Sequence, residues 1–493
     1  MKERIANSVF WVVWSKGGVQ VISLFSTLVV ARLLSPADYG VIALAAAWIF
    51  PMSLVAEMGL GSAILQYRDL TDRELNLCFW LIMGLCLALY VVLFLLAPVI
   101  GSWFEAPQVV SVLRVSGLAL PFMALRVIPD GLLRKGLQLD KVSQAELIAS
   151  AIVVPTTLSL AVAGMGVWTL VAGLVLIPAI QSISTYMFYP WKPGMKLGSA
   201  RATEILKYSL STLGSKVCWA AYRQADLFIL GKVAGEASLG SYSLAKQIAT
   251  LPAEKISTAV NQIASPVMAH LQDDRNRMGD SLLRGIRLVA CITVPIGTAI
   301  VLTSSDLVGV LLTDKWREAI PALQLLAVYG AIRSVEALFS PVLMARFRTA
   351  SLFRYTAVLM FVMPIAFWIG AELDGVRGVA LAWVLVYPCM MMIIARATVK
   401  EVGISWKRLQ SNIMPVLIAA VAMGASMVLV QNELLGWDER FALPRLCTVL
   451  LVGCVAYSAT LFLLDGQMYR DVKEIVAWAV APRSFKRLQE RAT

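Results

Sequence analysis

A single histidine, His270, stands in 493 residues, which leaves no basis for a histidine-built metal centre. The seven cysteines are Cys78, Cys86, Cys218, Cys291, Cys389, Cys447 and Cys454. All lie in or beside apolar runs with no CxxC spacing, so they read as small buried hydrophobes rather than a disulfide framework. A Gly-rich loop of the GxxxxGK type is missing, which excludes ATP hydrolysis on this chain. General acid–base work would need paired carboxylates exposed in a cleft, and Glu254 and Glu336 are unremarkable candidates for that. No catalytic residue, metal or cofactor is expected, and the chain does not read as an enzyme. Charge itself is scarce: Asp, Glu, Lys and Arg make up 15% of the residues, where a soluble chain carries about 25%.

What the chain has in excess is apolar sequence. Hydrophobic residues make up 59% and the mean hydropathy is +0.75, so lipid must be the solvent for most of it. Runs of span length fall at 7–31, 38–60, 76–99, 109–130, 143–164, 166–189, 205–230, 238–262, 284–304, 319–340, 351–371, 376–398, 411–431 and 443–465. The expected fold is an all-α polytopic membrane protein of about fourteen transmembrane helices. Met1-Lys2-Glu3-Arg4 opens like a signal peptide, but the apolar run continues to Ala31 without a small-residue cleavage site. It reads as an uncleaved first span.

The excess of basic residues (43 Lys and Arg against 31 Asp and Glu) falls at the ends of these runs, which is topology and not nucleic-acid binding. With the N-terminus inside, 29 of the 43 cations lie in inner loops and termini and 7 in outer loops. That bias puts both termini in the cytoplasm. No outer loop exceeds about sixteen residues, which leaves no room for an extracytoplasmic domain.

The seventh span repeats the first at a shift of 200 residues. Ser15-Lys16 falls on Ser215-Lys216, and the stretch from Ala31 to Gly40 overlies Gly231 to Gly240. Further on, Leu113 matches Leu323, Leu132-Leu133 matches Val342-Leu343, and Gly166-Val167 matches Gly378-Val379. Both units start on the same side, so they are parallel repeats about an axis along the membrane normal, an arrangement that suits a transporter. The expected organisation is an N-terminal lobe over 1–190, a cytoplasmic linker over 191–204 and a C-terminal lobe over 205–400. Two appended spans follow over 401–465, then a basic tail over 466–493.

Charges at membrane depth carry an insertion penalty of about 2.5–3.5 kcal/mol each, so they are functional candidates by default. Lys16 and Gln20 share a polar stripe on span 1; Lys216, Arg223 and Asp226 lie on span 7, and Lys246 and Glu254 on span 8. Arg333 and Glu336 sit on span 10, Glu57 ends span 2, and Arg114 opens span 4. Cations outnumber carboxylates, so a cavity of positive potential between the lobes is expected, suited to a phosphate or diphosphate. Lys16, Gln20, Lys216, Arg223, Lys246, Arg333 and Arg114 are the candidate substrate contacts. Glu57, Asp226, Glu254 and Glu336 are the candidates for gating or ion coupling. Plainer readings stand beside these: snorkelling for Lys16, Lys216, Arg114, Lys246 and Lys255, and structural i,i+3 pairs for Arg223/Asp226 and Arg333/Glu336.

The segment VARLLSPADYG, Val30 to Gly40, resembles the junction of the first two spans in bacterial polysaccharide exporters, the Wzx-type flippases. Lys315-Trp316 through Leu326, then Ile332 to Val335, is similar to their colanic-acid-exporter branch, and Arg134-Lys135 and Gly375 to Ala380 also fit. The resemblance covers roughly residues 5–400. It implies two six-helix lobes, alternating access, and passage of undecaprenyl-diphosphate-linked oligosaccharide between leaflets of the bacterial inner membrane, driven by an ion gradient. Implied partners are the lipid-linked substrate, membrane lipids and a polysaccharide polymerase with its export machinery, around a monomer. The branch has no strict ligand motif, so no binding residue is carried over from it. A peptidoglycan-precursor flippase and a multidrug extruder share the fold and remain alternatives. A membrane glycan polymerase would want a large outer loop, and a passive scaffold would leave the buried charges without a role.

Overall fold

The structure, a computed structural model, describes residues 23, 25–57, 64, 70–136, 138–195, 202–434 and 442–465. The described residues are helical with no strand, as an all-α membrane protein requires. The helices are α1 (Pro36–Glu57), α2 (Asp72–Trp103), α3 (Pro107–Ser116), α4 (Ala119–Lys135), α5 (Leu139–Val162) and α6 (Val167–Phe188). After them come α7 (Ala202–His270), α8 (Arg275–Leu311), a short 3-10 turn (Asp314–Trp316), α9 (Ala319–Glu336) and α10 (Phe339–Ala345). The last three are α11 (Thr349–Val402), α12 (Trp406–Glu433) and α13 (Ala442–Leu464). Among the described residues, ten helical segments are long and apolar enough to cross a membrane. The 54-residue α11 holds the sequence spans at 351–371 and 376–398, joined at a break at Asp374–Gly375. The spans at 205–230 and 238–262 form α7, broken at Gly235, and most of the first span lies outside the described residues.

Local chemistry sets the helix starts. Thr71 and Glu74 form a reciprocal capping box on α2, Ser35 and Asp38 bond each other at the start of α1, and Asp274 and Ser405 cap α8 and α12. The turn between α5 and α6 passes through Gly166 (φ 52°, ψ −131°). The break in α11 passes through Gly375 with nearly the same backbone (φ 49°, ψ −125°). A side chain is strained at that conformation. The shared geometry makes Gly375-Val376, rather than Gly378-Val379, the counterpart of Gly166-Val167 in the internal repeat.

The helices fall into two compact units. Residues 1–243 with 360–375 form one, in which α1 packs on α2, α3, α4 and α6, α2 lies against α3 and α4, and α5 pairs with α6. Residues 244–359 with 376–493 form the other, in which α8 packs on α9, α12 and α13.

The last two spans, read from sequence as an appendix, are seated on α8. Lipid offers no hydrophobic drive for this docking, so small residues and cross-helix hydrogen bonds must supply it. Ala290, Ala419, Ala420, Met423 and Met427 form the seam with Val449 and Tyr457. A Cβ on Gly453 would sit 2.7 Å from the Met427 side chain, so a larger residue there would have to displace that methionine. Pro295 inside α8 has no N–H, which frees the carbonyl of Cys291 one turn earlier. The Tyr457 hydroxyl donates to that carbonyl at 3.0 Å. Gln431 donates to the Leu302 carbonyl at 3.0 Å and Asn412 to that of Leu283 at 2.8 Å.

Candidate functional site

In the second unit, three helix segments place charged and aromatic residues together. The part of α7 after Gly235 presents Lys246, Thr250 and Glu254 at four-residue spacing, which puts them on one face. From α9 come Tyr329, Arg333 and Glu336, and from the later half of α11 Trp383 and Tyr387. The approach of α9 to α7 depends on Gly330, where a Cβ would stand 3.2 Å from the Ala249 carbonyl oxygen. That closeness brings the Arg333 guanidinium within 3.0 Å of the Glu254 carboxylate. Glu336 accepts from the Tyr387 hydroxyl at 3.0 Å. The Lys246 ammonium lies 5.6 Å from the centroid of the Trp383 ring, within reach of a cation–π attraction.

Behind these charges is an aromatic wall. Tyr329 is 4.3 Å from Trp383 and 5.0 Å from Tyr387 between ring centroids, and all three are buried. Aromatic rings hold the charged groups in place, and the tyrosine hydroxyl supplies a donor that a purely apolar wall lacks. Formal charge balances here, with Lys246 and Arg333 facing Glu254 and Glu336. Such a cluster can hold an anionic group on its cations or exchange a proton or small cation on its carboxylates.

The first unit holds a second buried acid. Asp226 is fully buried and accepts from the Tyr242 hydroxyl at 2.6 Å and from the Leu227 amide at 2.9 Å. Tyr242 can face Asp226 because α7 folds back at Gly235 (φ 79°, ψ −179°). Arg223 stacks its guanidinium 4.5 Å from the Trp219 ring centroid. Phe50 lies 6.1 Å from Trp219, and Trp48 packs edge-on against Phe228 at 5.1 Å.

The structure therefore brings Lys246, Glu254, Arg333 and Glu336 into one cluster in the second unit, while Arg223 and Asp226 belong to the first unit. Arg114 joins neither: its guanidinium lies over Phe94 of α2 at 4.5 Å and its Nε donates to the Phe94 carbonyl. Lys16 and Gln20 lie outside the described residues. Lys216 and Glu57 lie on α7 and α1, with side chains outside the described set. Tyr329, Trp383, Tyr387 and Tyr242 escape a search for intramembrane charge. Their signal is aromatic: a buried Tyr hydroxyl or Trp N–H usually finds a partner.

The comparisons with known proteins accord with this architecture. A family model described as polysaccharide biosynthesis protein matches residues 29–321. The chain is 24% identical over 397 residues to the lipopolysaccharide biosynthesis protein WzxC of Escherichia coli, covering 78% of this chain and 79% of that one. It is 23% identical to the succinoglycan biosynthesis transport protein ExoT of Rhizobium meliloti, across 97% of both chains. Among solved structures, the lipid II flippase MurJ in an inward closed conformation superposes with a TM-score of 0.71 at 14% identity, over 94% of this chain and 99% of that one. An inward-facing multidrug MATE transporter matches at 0.59 and 18% identity, over 80% and 95%. These likenesses establish the fold that the sequence resemblance implies. With more than half of its length matched by the family model, the chain belongs to the polysaccharide biosynthesis protein family of multi-pass membrane proteins.

Proposed function

We propose that the protein moves lipid-linked oligosaccharide repeat units, carried on undecaprenyl diphosphate, from the inner to the outer leaflet of a bacterial inner membrane. The observation that carries this reading is the end-to-end match to a succinoglycan transport protein on an all-helical membrane fold. The product would feed surface or exopolysaccharide assembly. Transport, not catalysis, is the activity, and the substrate passes to a polymerase and export machinery outside the chain.

The charge bias of the loops supports cytoplasmic termini. In this reading two six-span lobes over 1–190 and 205–400 alternate access, with spans 13 and 14 fixed to α8. The diphosphate is met by basic groups at membrane depth: Lys246, Arg333 and Arg223, with Lys16, Gln20, Lys216 and Arg114 as further contacts. Arg333 held by Glu254, and Glu336 held by Tyr387, are the groups on which an ion gradient would act, with Asp226 and Glu57 as further candidates. A coupling cation or proton that takes the carboxylate of Glu254 frees Arg333 for the diphosphate, so ion binding at this pair favours substrate binding.

The direct test is reconstitution. Vesicles holding purified protein and a labelled undecaprenyl-diphosphate oligosaccharide should show protein-dependent loss of the label from the leaflet where it was placed. Lys246→Ala and Arg333→Ala should slow that loss at normal protein insertion. Translocation of a peptidoglycan precursor with no movement of the oligosaccharide would assign the chain to that substrate instead, and cation-selective drug efflux would overturn the anionic reading.

A further inference from the structure

A cleft of 410 Å³ opens where the ends of α8, α12 and α13 meet. Its volume falls within the range of about 300–1,000 Å³ usual for small-ligand sites. The lining includes Asp280, Arg284, Arg287, Arg408, Ser411 and Asp465. Three arginines face two aspartates, which leaves one positive charge. The aspartates are already engaged, Asp280 with Arg408 at 2.8 Å and Asp465 with Arg287. Arg284 is exposed and has no acidic partner among the described residues. The surplus charge therefore resides on Arg284, beside two cross-helix ion pairs.

The surroundings are those of a lipid head group at the membrane–water boundary. Immediately along α12, Met414, Ile418 and Val421 are exposed, and Leu463 and Leu464 are exposed at the end of α13. A molecule with its anion in the cleft would lay its acyl chains on this apolar surface. Guanidinium groups match phosphate geometry through paired N–H donors, and basic pockets between transmembrane helices are a recurrent seat for anionic phospholipid head groups. None of these residues belongs to the cluster on α7, α9 and α11. We propose that this cleft binds the phosphodiester of an anionic glycerophospholipid and so tethers α12 and α13 to α8. The inference needs only that the protein lies in a membrane, and stands whatever substrate the protein carries.

The test uses the full-length protein in detergent, titrated with phosphatidylglycerol, phosphatidylethanolamine or inorganic phosphate, and reads bound lipid by native mass spectrometry alongside the thermal transition. Phosphatidylglycerol should stay bound and raise the transition, whereas phosphatidylethanolamine should not. Arg284→Gln, at an exposed position with no acidic partner among the described residues, should weaken phosphatidylglycerol about fivefold with the lipid-free transition unchanged. Ser411→Asp, which adds an anion to the cleft, should weaken it further. Equal binding by wild type and both variants, or equal retention of phosphatidylethanolamine, would overturn the proposal. So would an equal shift with inorganic phosphate, which would make the ligand a soluble anion. Displacement of phosphatidylglycerol by one equivalent of undecaprenyl diphosphate would give the cleft to the transported lipid and overturn it too. Because the readout is binding, it is independent of any failure of the transport reading.

Discussion

Gly40 and Gly240, equivalent positions of the internal repeat, face one another at the junctions of their span pairs. A Cβ on Gly240 would stand 2.8 Å from the Gly40 backbone nitrogen and collide with the carbonyl of Pro36. A Cβ on Gly40 would collide with the carbonyl of Glu236, the repeat counterpart of Pro36. The contact is thus reciprocal, and backbone meets backbone with no flexible side chain to yield. Gly40→Ala and Gly240→Ala should each destabilise the protein by about 1–3 kcal/mol through overpacking. Thermal unfolding in detergent checks this, and Gly84→Ala, where a Cβ meets nothing within 4 Å, is the control.

A second prediction concerns the docking of the last two spans. Tyr457→Phe removes the donor to the Cys291 carbonyl that Pro295 leaves free. An unsatisfied buried carbonyl costs about 1–3 kcal/mol. Pro295→Ala restores a backbone N–H in the preceding turn's hydrogen-bond ladder, so Tyr457→Phe should cost less in that background. Equal losses in both backgrounds would mean that the hydroxyl is not substituting for the missing amide.

Arg333 and Glu254 offer a third. Arg333→Ala or Glu254→Ala alone removes one side of the ion pair, and each should lower stability by about 1 kcal/mol, since the Glu254 side chain is 42% exposed. The double variant should lose less than the sum, since residues in contact couple by about 0.5–3 kcal/mol. A double-mutant cycle on melting temperature measures that coupling, and additive losses would show the bond to contribute nothing to the fold.

The fourth prediction is a pH dependence. At the turn within α7, burial and the neighbouring Asp38 carboxylate hold the Glu236 carboxyl above the usual carboxylate range. Because folding raises this pKa, the folded state favours the proton. Its contribution is then greatest below the ordinary carboxylate pKa and is lost as pH rises through the raised value. Glu236→Gln should therefore match wild type in acid and exceed it near neutrality. Melting curves from about pH 4 to pH 8 decide it, and a constant difference across that range would contradict it.

Much of the fold was legible because lipid imposes it. Apolar runs of about twenty residues, each closing its backbone hydrogen bonds within one helix, are consequences of satisfying a backbone without water. Arg333, Glu254, Lys246 and Glu336 were legible for the related reason that charge in lipid is costly. Their grouping was not, since Arg333 finds Glu254 at a separation of 79 residues, and helical periodicity reports only neighbours on one helix. For the same reason the i,i+3 spacing of Arg333 and Glu336 drew attention within α9, whereas the bonds to Glu254 and Tyr387 run to other helices. Trp383 and Tyr387 merged into an apolar run that looks the same whether it meets lipid or lines a charged cluster. The repeat register slipped by three residues at Gly378 because a second Gly-Val pair lies so near Gly375-Val376. Backbone angles distinguish them, and letters do not.

The measurement that bears most directly on the central claim is the sidedness of undecaprenyl-diphosphate oligosaccharide in cells depleted of this protein. Accumulation of the complete repeat unit facing the cytoplasm, cleared when the wild-type chain is restored, is the predicted result. No accumulation, with surface polysaccharide unchanged, would contradict the assignment of oligosaccharide transport to this chain.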